Sequence, residues 1–253
     1  LQLGGYLVKL FPGRAKKLSE NTLDNNWGAF DRLLRNGLTA EAFASGDHAK
    51  QRALFSNYWF EEADGAASVW EDRFKDEFLG HNVVLIDEMA KVLKDKKFDQ
   101  LYEIGCGHGQ VTEYLADRFQ QIDKFVGIDI SKEQIRKNQE RCQDDKVSYI
   151  AADAVDWALG EAQPNSIFLT NGGVLEYFLQ KELEDIFQHI AQNLAPAIIG
   201  VIETLGVDHD LKNEKKSLLY GRELAFSHNY PHLLEKAGFS IVYHSERTGT
   251  PQH

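Results

Sequence analysis

The residues best suited to chemistry in this chain lie in Leu101-Tyr-Glu-Ile-Gly-Cys-Gly-His-Gly-Gln110, an apolar strand that reaches an acid and then three glycines at alternate positions. Gly105, Gly107 and Gly109 each remove a Cβ where the backbone must turn sharply off a strand, so a ligand can approach the peptide units at the head of the next helix. Glu103 adds a carboxylate at the mouth of the turn. Two more acids follow later apolar runs, Asp129 after the second and Asp153 just beyond the third. A carboxylate at Asp129 can accept both hydrogen bonds of a ribose diol, and it follows Gly109 by 20 residues, a spacing that dinucleotide sites also use. The glycines separate the two readings, because Gln110 stands where a dinucleotide fingerprint places its third glycine. Gln110 and Glu103 therefore disfavour a nicotinamide-dependent oxidoreductase.

The elements that must carry these residues alternate. Short β runs are read at 98–104, 124–129, 147–150, 166–170 and 197–203, with amphipathic helices near 110–120, 132–143 and 180–194. Leu183, Ile186, Phe187, Ile190 and Leu194 form one apolar stripe on the last of these, and Ser131 with Gln134 forms a capping box at the head of the 132–143 helix. Such alternation predicts an α/β fold with a doubly wound, mostly parallel sheet whose ligands bind beyond the carboxyl ends of the strands. All three acids then face one crevice. A polar connection over 206–224 leads to a helix at Pro231–Ala237 and a strand at 239–244. Residues 1–80 read instead as an N-terminal helical extension, a cap or substrate lid, rich in aromatics (Trp27, Phe30, Phe43, Phe55, Tyr58, Trp59, Phe60, Trp70). The sheet domain takes 81–253.

Bulk properties narrow the partners. Lys+Arg 28 against Asp+Glu 39 gives a net charge of -11, which repels a phosphate backbone, so no nucleic acid is expected. The basic group Lys9, Arg14, Lys16 and Lys17, beside Leu10 and Phe11, reads either as a solvated helix face or as a contact for an acidic partner or membrane. Cys106 and Cys142 cannot build a disulfide framework and fit no zinc spacing. No apolar run is long enough to span a membrane and no signal peptide is visible, so a cytoplasmic location without membrane insertion is expected. The chain begins at Leu1, so true N-terminal residues are expected to be absent.

Glu103-Ile-Gly-Cys-Gly-His-Gly109, Val126-Gly-Ile-Asp-Ile-Ser131 and Ala152-Asp-Ala154, in this order over about 85–205, resemble the successive cofactor motifs of class I S-adenosylmethionine-dependent methyltransferases of small-molecule type. The resemblance implies a Rossmann-like sheet of about seven strands with S-adenosyl-L-methionine as cofactor and S-adenosyl-L-homocysteine as product. It implies that Glu103 and the turn of Gly105, Cys106, Gly107 and Gly109 hold the methionine portion. Asp129, with Ile130 beside it, would meet the ribose, Asp153 the adenine amino group and the Ala154 backbone the ring, while Asn171 would lie near the sulfonium. His108 reads equally as a cofactor contact or as exposed loop, and Cys106 as a small residue filling the turn. The family's sheet ends in a hairpin of which only 239–244 is readable, so its last strand is expected to be missing or degenerate. An edge left unpaired there is open to a second copy, a homodimer.

The acceptor is sought elsewhere. Asn171-Gly-Gly-Val-Leu-Glu-Tyr177 resembles the segment of small-molecule O-, N- and C-methyltransferases and lacks both the proline-rich signature of DNA amine methylation and the aspartates that hold magnesium, so no metal is indicated. Glu176 reads as a base or substrate ligand, or as a structural acid favoured at a helix N-terminus. His228, in Phe226-Ser-His-Asn-Tyr-Pro-His232, reads as a general base of ordinary pKa or as a loop hydrogen-bonder. Tyr58, Trp59, Tyr177 and Tyr230 are the expected substrate contacts. The expected function is methyl transfer to a hydroxyl, amine or carbon of a small metabolite such as a sugar or natural-product intermediate; the alternative is a cofactor-binding protein of the same fold without transfer.

Overall fold

Neighbouring residues along each strand serve opposite faces of one sheet, and the sequence supplies an apolar residue to both. The computed structural model describes residues 2–20, 28–62, 73–221 and 224–247, with the side chains of Gln2 and 57–62 outside that description. Its sheet contains β1 (Gln100–Ile104), β2 (Lys124–Asp129), β3 (Val147–Ala151), β4 (Ser166–Asn171) and β5 (Ala197–Ile202). They are all parallel, in the order β3-β2-β1-β4-β5. Tyr102, Val126 and Phe168 face one core with Trp157, Leu183, Phe187 and Ile190, while Leu101, Phe125 and Ile167 face the other with Ile86, Met89 and Leu115. Strands buried on both sides read as continuous apolar runs for this reason.

The flanking helices follow their local signals. Among α1 (Gln2–Leu10), α2 (Pro12–Ser19), α3 (Ala29–Ser45) and α4 (His48–Glu62), α3 ends on Gly46 in the left-handed conformation. A π-type segment, Arg73–Asn82, leads into α5 (Val83–Val92). After β1 comes α6 (Gln110–Arg118), and after β2 comes α7 (Lys132–Arg141), capped by Ser131 Oγ accepting from Gln134 N at 3.2 Å. α8 (Ala154–Gly160), α9 (Gln180–Asn193) and α10 (Tyr230–Ala237) complete the layers, and the 183–194 stripe of α9 is buried throughout.

Among the described residues the sheet has five strands rather than about seven. The expected strand at 239–244 is an exposed irregular segment, and no second strand among the described residues stands beside it to take its backbone hydrogen bonds. A separate antiparallel pair, β6 (Leu218–Tyr220) and β7 (Ala225–Ser227), occupies the end of the polar connection instead. Trp27 and Trp70 lie outside the described residues.

The N-terminal helices have their own small core, Ala15, Leu18, Leu34, Leu38 and Leu54. α1 crosses α3 where Gly4 meets Gly37; a Cβ on Gly37 would stand 2.3 Å from the Gly4 carbonyl carbon. Backbone cannot yield as a flexible side chain can. Gly37→Ala is expected to lower the melting midpoint by about 2–8 °C through overpacking. Calorimetry checks this, and an unchanged midpoint would mean that α1 shifts freely.

Candidate functional site

The strand order reverses between β1 and β4, which opens a crevice at the carboxyl ends of the strands. There the structure holds a cleft of about 940 Å³, measured to its open mouth. Gly105, Gly107, Asp129, Ile130, Asp153, Ala154, Asn171 and Tyr177, all expected from sequence, line it together.

The floor is the glycine turn. Gly105, Gly107 and Gly109 have φ of 72°, 46° and 75°, and the turn is tied to β2 by Gly105 N and Cys106 N donating to Ile128 O at 2.8 and 3.0 Å. Asp129 clamps it from the side: Oδ2 accepts from Gly107 N and Oδ1 from Ser131 N, each at 2.9 Å. Burial pushes its carboxyl up while these N–H donors pull it down. Each oxygen keeps a second lone pair, so two ribose hydroxyls can still be accepted.

At the adenine end expected from the resemblance, Asp153 is the N-cap of α8, with Oδ1 accepting from Val155 N at 2.9 Å. Its Oδ2 is 2.6 Å from Arg52 Nη2, and Arg52 Nε is also 3.2 Å from Glu182 Oε1, with the guanidinium over the Phe178 ring at 5.1 Å. Arg52 and Phe55 bring α4 onto the cleft wall, Phe55 packing edge-on against Tyr177 at 5.7 Å.

On the far side, Asn171 Oδ1 accepts from Asn82 Nδ2 at 3.0 Å, and Gly172 O accepts from Arg73 Nη2 at 3.0 Å. Val174 N donates to Glu203 Oε2 at 2.9 Å. Glu203 sits just past β5, and burial raises its pKa to about 8. Glu176 lies in a short turn before α9 and accepts a hydrogen bond from the Tyr220 hydroxyl. Glu176 stands in the first turn of a short helix there, and the acid capping α9 is Glu182, whose Oε2 accepts from Leu179 N.

Several expected residues stand apart from the cleft lining. Glu103 is 2% exposed beneath the turn, accepting from the Thr112 hydroxyl. The Cys106 thiol packs with Ile135 and Tyr149 behind it, and Gly109 and His108 also lie outside the lining. His228 is fully buried, with Nδ1 2.5 Å from Ser217 Oγ, and burial lowers its pKa to about 4. Its side chain is thus enclosed and stands apart from the cleft lining. Tyr230 is likewise buried at the head of α10. Tyr58 and Trp59 fall in the last turns of α4, their side chains outside the described residues. Arg52 and Arg73 gave no signal in sequence, since each reaches the cleft from a distant element.

Glu103 has a measurable signature. Burial, with the Asp129 charge adding, lifts its pKa from 4.5 to about 8 against the Thr112 hydrogen bond. The folded chain thus binds more protons than the unfolded chain between these values. The stabilisation is complete below about pH 4.5 and lost as pH rises through about 8. Glu103→Gln is expected to flatten the fall in urea-unfolding stability between pH 5 and 8 by on the order of 2–4 kcal/mol. Parallel curves for variant and parent would dismiss a buried neutral Glu103.

Residues 101–197 match the family model for a methyltransferase domain. A trans-aconitate 2-methyltransferase of Rhodopseudomonas palustris is 28% identical over 141 residues, 54% of this chain and 49% of that protein. A cyclopropane-fatty-acyl-phospholipid synthase of Escherichia coli is 29% identical over 109 residues, 42% of this chain and 26% of that protein. The chain thus spans about half or less of the curated relatives it matches. A solved S-adenosylmethionine-dependent methyltransferase of Leishmania major superposes with a TM-score of 0.60 at 15% identity, over 81% of this chain and 82% of that one. The superposition shows that this chain has the Rossmann-like fold of that S-adenosylmethionine-dependent methyltransferase.

Proposed function

We propose that this chain, with its methyltransferase domain at 101–197, transfers a methyl group from S-adenosylmethionine to a hydroxyl, amine or carbon of a small metabolite. The observation that carries the reading is the convergence of Asp129, Asp153 and Asn171, from three successive strand ends, on one cleft floored by the glycine turn. The cleft fits the cofactor: it is bounded by apolar Ile130, Ala154 and Phe178, and a side chain on Gly105 would fill it toward Val174.

When bound, the cofactor supplies a methyl group already activated by a positive sulfur. What remains for the chain is alignment and exclusion of water. Asp129 would hold the ribose with its unused lone pairs. Asp153 would meet the adenine edge, sharing its carboxylate with Arg52. Asn171, fixed by Asn82, and Gly172, fixed by Arg73, would border the reacting methyl. Glu176 is the residue we assign as base or acceptor ligand, its carboxylate oriented by Tyr220. One relative is named for a small organic acid, trans-aconitate, which supports a small acceptor.

Titration calorimetry with S-adenosylmethionine, S-adenosylhomocysteine and NAD, followed by mass-spectrometric search for methylated products in a metabolite panel, tests the proposal. Micromolar binding of the first two and a mass gain of one methyl are expected. Binding of NAD alone would overturn it, and binding without any transfer would favour the cofactor-binding alternative.

A further inference from the structure

The N-terminal helices carry an exposed apolar stripe. Leu3, Tyr6 and Leu10 on α1 are 60%, 66% and 57% exposed, and their i, i+3, i+7 spacing makes one stripe. Phe11 continues it at the corner with α2, stacked edge-on against Phe30 of α3 at 5.1 Å. The stripe cannot roll inward, because the opposite face of α1 is held by the Gly4–Gly37 crossing and by Leu7 and Val8 against the small helical core. Beside it, Leu3 and Leu33 open on a groove of about 800 Å³ that Leu219 and Leu224 line from the other side. Proteins seldom leave a contiguous apolar surface of this kind to water without a use for it.

Charge selects the use. Residues 1–20 contain Lys9, Arg14, Lys16 and Lys17 against one carboxylate, Glu20, in a chain whose net charge is -11. Arg14 is committed to Asp31, with Nε and Nη2 at 2.5 and 2.8 Å from its two oxygens, and Lys16 Nζ lies 3.7 Å from Glu20 Oε1 in a solvent-exposed pair; the side chains of Lys9, Lys16 and Lys17 are exposed. An acidic molecule with one basic, apolar end approaches a negative surface by that end only. Aliphatic and aromatic side chains interleaved with lysines match the boundary between headgroups and acyl chains, where the apolar part is buried and the ammonium groups stay at phosphate level. No helix among the described residues is long and apolar enough to cross a membrane, so the contact lies in the surface plane.

We propose that the α1–α2 corner is a docking surface for an anionic phospholipid bilayer. This goes beyond the methyl-transfer reading and does not rest on it. The test is flotation of the full chain with vesicles of phosphatidylcholine alone or containing roughly one-third phosphatidylglycerol. Partition onto anionic vesicles at least about tenfold above neutral ones, and its loss at high salt, are expected, each surface lysine contributing about fivefold. Tyr6→Glu with Leu10→Glu should abolish flotation while leaving the circular dichroism spectrum intact, since both side chains are exposed. Lys16→Glu with Lys17→Glu should remove the anionic preference. Equal partition onto both vesicles, or none, overturns the proposal. So does self-association on light scattering that Tyr6→Glu abolishes in a protein that never floats, which would assign the stripe to a second copy. Loss of flotation in a longer chain whose preceding segment covers Tyr6 overturns it as well.

Discussion

Asp129→Ala is expected to weaken S-adenosylmethionine at least about a hundredfold, about 3 kcal/mol, on titration calorimetry. Two losses combine. The ribose loses a charged acceptor for both hydroxyls, and the N–H groups of Gly107 and Ser131, which Asp129 satisfies at 2.9 Å, lose their partner. The second loss acts on the turn itself, so homocysteine-side contacts should suffer with the ribose. Asp129→Asn keeps one acceptor oxygen and should lose less. Affinity unchanged in the alanine variant would remove Asp129 from the cofactor site.

Gly105→Ala is expected to be comparably severe, with binding reduced about a hundredfold or more and a lower melting midpoint. At φ of 72° a Cβ costs about 1–2 kcal/mol in backbone strain. That Cβ would also lie 2.5 Å from both Val174 Cγ atoms. Val174 N is held by Glu203 at 2.9 Å, so a backbone retreat of Val174 would carry the clash from the cofactor turn into the loop after β4. Adding Val174→Ala should recover the steric share and leave the backbone share, a split a double-mutant cycle reads directly. A double variant no better than the single one would show that strain alone decides.

The sequence made the floor of the cleft legible because a turn off a strand imposes local rules. Alternating glycines, an acid at a strand end and a capping serine each act within a few residues, and β1 to β5 fall within about two residues of where apolar runs place them. The roof was not legible. Arg52 meets Asp153 across 101 positions of chain, and a single arginine on a helix carries no mark of what it will face. β6 and β7 are three residues each, too short for alternation to register inside a polar connection. Phe239 to His244 has the composition of a strand, yet composition cannot report that no strand among the described residues pairs with it. His228 shows the same limit in its side chain: the segment reads as holding a base or a loop hydrogen-bonder, and only the folded chain shows the ring buried beside Ser217. α8 was missed because Asp153 was read for a ligand, when it also caps a helix of seven residues.

β1 is paired on both sides, with β2 and with β4, along all five of its residues. Opening events in a folded chain begin where such ladders end, and a doubly paired central strand exchanges its amides only with the molecule as a whole. The glycine turn grows directly from that strand, whereas Phe55 of α4 and Tyr177 after β4 pack in a smaller cluster of their own with Phe226. The surface against which a cofactor would be aligned therefore shares the persistence of the central strand.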